Sequence, residues 1–160
     1  LEGEEKTRYG EIQSKLSSLG TQFSNNVLDA TKGWFKQLSS EDELAGLPEF
    51  IVAGAKKAAE EKDLEGYVLT LDMPVYFTVI TQSDNAELRR DMYQAFFTRA
   101  SDQGPNAGKW DNTAIIEETM ALRQELAKLL GFNNYAELSI APKMAESTQQ
   151  VVDFLENLAE

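Results

Sequence analysis

Gly104, Gly108 and Lys109 stand inside the stretch SDQGPNAGKWDN, Ser101–Asn112, and have the residue types of a loop that cradles phosphate. A Walker loop needs G-x-x-x-x-G-K-[ST] after a buried strand, with its hydroxyl on magnesium. Here the glycines are one position too close, Trp110 replaces the hydroxyl, and the segment before the loop has helical periodicity. Turn chemistry accounts for the same residues: Gly104-Pro105 and Asn106 bend the chain, and Asp111 or Asn112 caps the next helix. Calcium fares no better. Counting from Asp102, an EF-hand wants an oxygen ligand at the third position and glutamate at the twelfth. Gly104 and Thr113 stand there instead, so Asp102, Asn106 and Asp111 do not make such a loop.

Histidine and cysteine are both absent from the 160 residues. That removes a Ser-His-Asp triad, a Cys-His pair, imidazole and thiolate metal ligands, and disulfides. No serine stands three positions before a lysine, so the S-x-x-K nucleophile is missing as well. Adjacent carboxylates occur at Glu4-Glu5, Glu60-Glu61 and Glu117-Glu118. Neighbours on a helix point about 100° apart, which makes them a solvated face and not an acid–base pair. Arg89, Arg90, Arg99 and Arg123 have the fork that clamps carboxylates. In so acidic a chain they are expected to pair internally. No catalytic constellation emerges.

The elements around these residues are mostly helical. Apolar residues recur at Tyr9, Ile12, Leu16, Leu19, Phe23, Val27, Ala30 and Trp34, one face of a helix of about seven turns. Gly20 costs that helix about 1 kcal/mol relative to alanine. Asn26 holds an expected apolar position and the step to Val27 breaks the heptad, which favours packing within a helical domain over a coiled coil. Ser40–Glu43 is a capping box, Gly46 closes its turn, and Pro48 opens a helix to about Lys62.

Gly66–Asp72 changes to period two: Tyr67, Leu69 and Leu71 face one way, Val68 and Thr70 the other, as in a half-buried strand. Its partner must come from Trp34–Ser39. Pro74 ends the strand and starts a short apolar helix. Further helices are expected over Asn85–Ala100, with Leu88, Met92 and Phe96 in line and Tyr93 and Phe97 beside them, and over Asp111–Leu130. The second carries Ile115, Thr119, Leu122, Leu126 and Leu129, flanked by Ile116, Met120 and Leu130, a pattern that predicts burial over much of its girth. Gly131 supplies a left-handed C′ position with Phe132 folding back. Ser147 and Gln150 cap a last helix striped with Val151, Phe154, Leu155 and Leu158. The fold class is therefore mainly α, a multi-helix domain with one short two-stranded antiparallel β ribbon.

Composition narrows the partners. Fifteen basic against 27 acidic side chains give a net charge of −12, a field that repels nucleic acid and anionic lipid. No apolar run is long enough to span a bilayer, and no signal-peptide pattern opens the chain. A cytoplasmic location is expected, in keeping with the missing cysteines. The chain begins without methionine and stops inside a helical pattern, so residues 1–160 are expected to be one helical segment of a longer protein.

Five strings carry a resemblance: FSNNVLDATKGW (Phe23–Trp34), ELAGLPE (Glu43–Glu49), LTLDMPVYFTVI (Leu69–Ile80), LRRDMYQAFFTRASDQGPNAGKWDN (Leu88–Asn112) and LRQELAKLLGFNNYAELSIAPKMAES (Leu122–Ser147). In order and spacing the chain resembles the thimet oligopeptidase family of zinc metallopeptidases, and within it the bacterial oligopeptidase A branch. The resemblance implies a long, mostly helical protein whose two lobes enclose a channel, with zinc held by H-E-x-x-H and a later glutamate. This chain contains none of that motif. No catalytic, cofactor-binding or metal residue carries over onto it. The resemblance thus implies a segment of the non-catalytic lobe that supplies scaffold and channel wall, zinc in the parent but not in this segment, and oligopeptide substrates for the parent. The loop Ser101–Asn112 becomes a connector shared with that branch. The alternative is an independent helical scaffold or interaction module without enzymatic activity.

Overall fold

The computed structural model describes residues Leu1–Ala159. Seven α-helices and one two-stranded sheet occur among them. They fall into two compact units. One comprises Leu1–Gln22 together with Ala114 onward, the other Phe23–Thr113.

Helix α1 (Gly3–Lys32) is longer than its apolar stripe and contributes to both units. Ile12, Leu19 and Ala30 of the stripe are buried, whereas Phe23 is exposed and Trp34 lies beyond the helix end. Phe23, within the stripe, and Trp34, at its end, therefore depart from the expected face.

In the Phe23–Thr113 unit, β1 (Phe35–Leu38) pairs antiparallel with β2 (Tyr67–Thr70), Phe35 opposite Thr70 and Leu38 opposite Tyr67. The ribbon follows from the single period-two segment. The half-buried expectation for it fails, because Val68 and Leu69 are both 1% exposed although they point to opposite faces. Glu43 organises the 3₁₀ turn Glu41–Leu44 by accepting from the Ser39 and Ser40 amides at 2.9 and 3.1 Å. Helix α2 (Glu49–Glu60) starts one residue later than expected: Pro48 is its extended N-cap, and the Pro48 carbonyl accepts from Ile51 and Val52.

The α2 stripe Ile51, Ala55 and Ala59 is buried, and its first two members join the core with Leu38, Leu69 and Leu71. Helix α3 (Met73–Gln82), with Pro74 in its first turn, adds Tyr76 and Val79. Helix α4 (Ala86–Phe97) adds Leu88, Met92 and Ala95, and the Asn85 side chain caps it by accepting from the Leu88 amide at 3.1 Å.

In the other unit, Arg8 bonds Glu125 at 2.6 Å and Lys15 bonds Glu118 at 3.1 Å, so α1 and α5 (Thr113–Leu129) run antiparallel there. Only Leu126 and Ala127 of α5 are buried; Ile116, Met120 and Leu130 are 50%, 60% and 37% exposed. The expected burial over much of that helix does not occur, since α1 covers a single face. Gly131 ends α5 in the left-handed region at φ 85°. Phe132 donates to the Ala127 carbonyl at 2.9 Å and Gly131 to that of Lys128 at 3.0 Å, the paired bonds of a Schellman end.

Helix α6 (Tyr135–Ile140) has no counterpart in the periodicity. Its signal was the pair Asn134 and Glu137: Asn134 accepts from the Glu137 amide at 2.9 Å, and Glu137 accepts from the Asn133 amide at 2.9 Å. Ser147 caps α7 (Thr148–Ala159) by accepting from the Gln150 amide, while the Gln150 side chain reaches Glu146.

Candidate functional site

The connector Ser101–Asn112 is a loop closed by backbone hydrogen bonds. Gly108 donates to Ser101, Lys109 to Asn106, and Asn112 to Ala100, at 2.9–3.0 Å. A phosphate cradle needs such amides free to face an anion. Lys109 does not reach across the loop; its ammonium lies 4.2 Å from the Trp110 ring centre. Trp110 itself adopts φ 60°, and a Cβ on Gly33 would overlap its ring. Asp111 accepts from the Thr113 hydroxyl and amide, which lowers its pKa, so the helix start is served by Asp111. Asn112 turns inward instead, 2% exposed, and bonds Asn26 and the Phe23 carbonyl.

The paired carboxylates go separate ways. Glu118 meets Lys15 and Glu61 lies 3.8 Å from Lys57. Among the described residues no three acidic, His or Cys groups converge on a point that could hold a metal. The arginines also depart from expectation. Among the described residues, Arg8 alone of the arginines pairs with acids, Glu11 and Glu125. Arg89 donates to the Ser83 carbonyl, and Arg123 lies 4.8 Å from the Tyr135 ring centre.

Arg99 is held in a different way, by the end of α4. Its Nε donates to the Phe96 carbonyl at 2.8 Å and its Nη1 to the Thr31 hydroxyl of α1 at 2.7 Å. Its guanidinium lies 3.7 Å from the Phe96 ring centre. Phe96 in turn stacks on Tyr76 of α3, with centroids 3.9 Å apart and planes 12° from parallel. Phe97 meets Phe96 edge-on, and Tyr93 packs on Phe97 at 4.6 Å. Helical spacing explains the cluster, because Tyr93 and Phe97 are i, i+4 on α4. The result is an aromatic platform with a cation at one end. Tyr93 and Phe97 leave it open to solvent, 55% and 64% exposed. Burial, with Tyr93 beside it, pushes the Tyr76 phenol up, and desolvation pulls the Arg99 guanidinium down. The aromatics were visible in the sequence as a helical stripe; the role of Arg99 was not.

A family model described as Peptidase family M3 matches residues 79–160, half of the chain. The chain belongs to peptidase family M3. Its similarity extends over the remainder too. Oligopeptidase A of Escherichia coli is 62% identical over 159 residues, covering 99% of this chain and 23% of that protein. Oligopeptidase A of Haemophilus influenzae is 59% identical over 160 residues, 100% of this chain and 24% of its own. The organellar oligopeptidase A of Arabidopsis thaliana is 40% identical over 165 residues, 99% of this chain and 20% of its own. The chain thus spans less than a quarter of these family M3 relatives.

Proposed function

We infer that this chain is the helical, non-catalytic part of a zinc-dependent oligopeptidase, supplying scaffold and channel wall to a cytoplasmic enzyme that hydrolyses short peptides. The similarity to oligopeptidase A along essentially the whole chain carries this reading. The donor set supports the division of labour. Zinc in a hydrolytic site takes imidazole, thiolate and carboxylate ligands, and this chain has neither histidine nor cysteine. Scattered carboxylates suit hard cations better than zinc. The residues present do not fit a catalytic zinc, so its ligands and its general base belong to the rest of the parent. What this chain offers a peptide is surface: stacked rings, backbone turns and one desolvated cation. No helix among the described residues is long and apolar enough to cross a membrane.

The test is a short quenched fluorescent peptide offered to the 160-residue chain and to the full-length parent. Turnover is expected from the parent alone, abolished by a chelator and restored by zinc. Chelator-sensitive cleavage by the purified chain would refute the division of labour, and an inactive parent would refute the peptidase reading.

A further inference from the structure

Arg99 is the cation whose circumstances call for a ligand. A guanidinium has five N–H donors. Two are used, on the Phe96 carbonyl and the Thr31 hydroxyl. No carboxylate lies within ion-pair distance among the described residues, although the chain carries 27 acidic side chains. Every buried side-chain nitrogen or oxygen among the described residues has a hydrogen-bond partner. Nη2 has none and therefore reaches solvent. The guanidinium is thus half-buried and fixed at two points, with Phe96 covering one face and the far nitrogen open. Such a group lacks an anion and is already oriented to receive one.

What lies beside it defines the ligand. Arg99 lines a cavity of about 10 Å³ together with Trp34, Pro105 and Asn106, which holds no more than a water. Phe96, under the guanidinium, belongs to the same aromatic cluster as Phe97 and Tyr93, which offer exposed surface beside the Phe96–Tyr76 stack. A nucleotide or a polyanion would meet the −12 field of the chain with a single guanidinium to offset it. One carboxylate attached to apolar surface matches both features.

We propose that Arg99 and the Tyr76–Tyr93–Phe96–Phe97 platform bind the free α-carboxylate and apolar last side chain of an oligopeptide. The carboxylate takes the unused Nη donors and the side chain lies on Phe97 and Tyr93. As a peptide subsite, the proposal rests on the oligopeptidase reading.

The experiment uses the full-length protein and two peptides of one sequence ending in an apolar residue, one as the free acid and one amidated. Binding is read by displacement of a fluorescently labelled peptide with a chelator present, so that nothing is cleaved. The wild type should prefer the acid by about tenfold, the scale of one charge-assisted pair. Arg99→Met should abolish the preference by weakening the acid alone, Arg99→Lys should retain part of it, and Phe97→Ala should weaken acid and amide alike. A wild type indifferent to amidation overturns the proposal, as does a preference that survives in Arg99→Met. So does an Arg99→Met protein that melts at lower temperature and loses both peptides equally, because the fork is then held by an acid of the parent itself. Acid preference without cleavage in the unchelated enzyme refutes the peptidase reading and leaves the site standing. Cleavage without preference refutes the site alone.

Discussion

Asn26 donates from Nδ2 to Oδ1 of Asn112 at 2.8 Å, joining the C-terminal part of α1 to the last residue of the connector. Asn112 completes the link by donating to the Phe23 carbonyl at 3.2 Å. Asn112 is buried, and its side-chain oxygen and nitrogen are both satisfied, the oxygen by Asn26 and the nitrogen by Phe23. Asn112→Ala leaves the Asn26 amide and the Phe23 carbonyl without their partner, a loss of about 2 kcal/mol. Urea denaturation of wild type and variant measures it. A midpoint unchanged by the substitution would show that water replaces the bonds at no cost.

Gly33 and Trp110 define a second contact between the same two segments. A Cβ on Gly33 would enter the Trp110 ring and come within 2.9 Å of the Asp29 carbonyl. Gly33→Ala must displace the indole, and overpacking of this kind destabilises by roughly 1–3 kcal/mol. The expected signs are a lower melting temperature and a shifted tryptophan emission. If emission and melting both match the wild type, the indole is not held against α1.

Acid should weaken the protein through three hydrogen-bonded carboxylates. Glu43 is held below its ordinary 4.5 by the Ser40 and Ser39 amides. Glu125 is held below 4.5 by Arg8, and Asp111 below 3.8 by the Thr113 hydroxyl and amide. Each folded pKa lies under the unfolded one. Their stabilisation is therefore complete above the unfolded values and is lost as pH falls through the folded ones. Melting temperature should hold steady from about pH 7 to about pH 5 and then decline. Glu43→Gln and Glu125→Gln together should flatten the decline; an undiminished slope would assign it to other groups.

Helix α7 presents Val151, Phe154, Leu155 and Leu158 to solvent, 37% to 68% exposed, while α4 buries Leu88, Met92 and Ala95. Amides of a helix without buried contacts open locally at low free energy. In the 160-residue chain, α7 amides should exchange faster than those of α4 by at least about tenfold. Equal protection in a hydrogen-exchange experiment would mean that the exposed stripe is covered in solution.

Much of the architecture was legible because it depends on neighbours in sequence. Period three-to-four marks α1 and α4, and period two marks β2. The capping pair Ser147/Gln150 and the left-handed Gly131 act within one helical turn. The donor set was legible too, since the residue types alone show that the chain offers no imidazole and no thiol. Burial was less so. Both faces of β2 are covered, and α5 has one face covered instead of most of its girth, because coverage is set by whichever element packs there. Asn26 interrupted the apolar stripe of α1 without any local cause. Its partner lies 86 residues away, and only closure of the connector onto α1 brings the two amides together. Arg99 shows the same limit. Its spacing from Phe96 permits a stacked guanidinium, but the missing acid, the Thr31 anchor 68 residues distant and the Tyr76 ring behind Phe96 are set by packing between helices. Periodicity and caps are decided inside a helical turn, whereas the choice of a polar partner is decided by which surfaces meet.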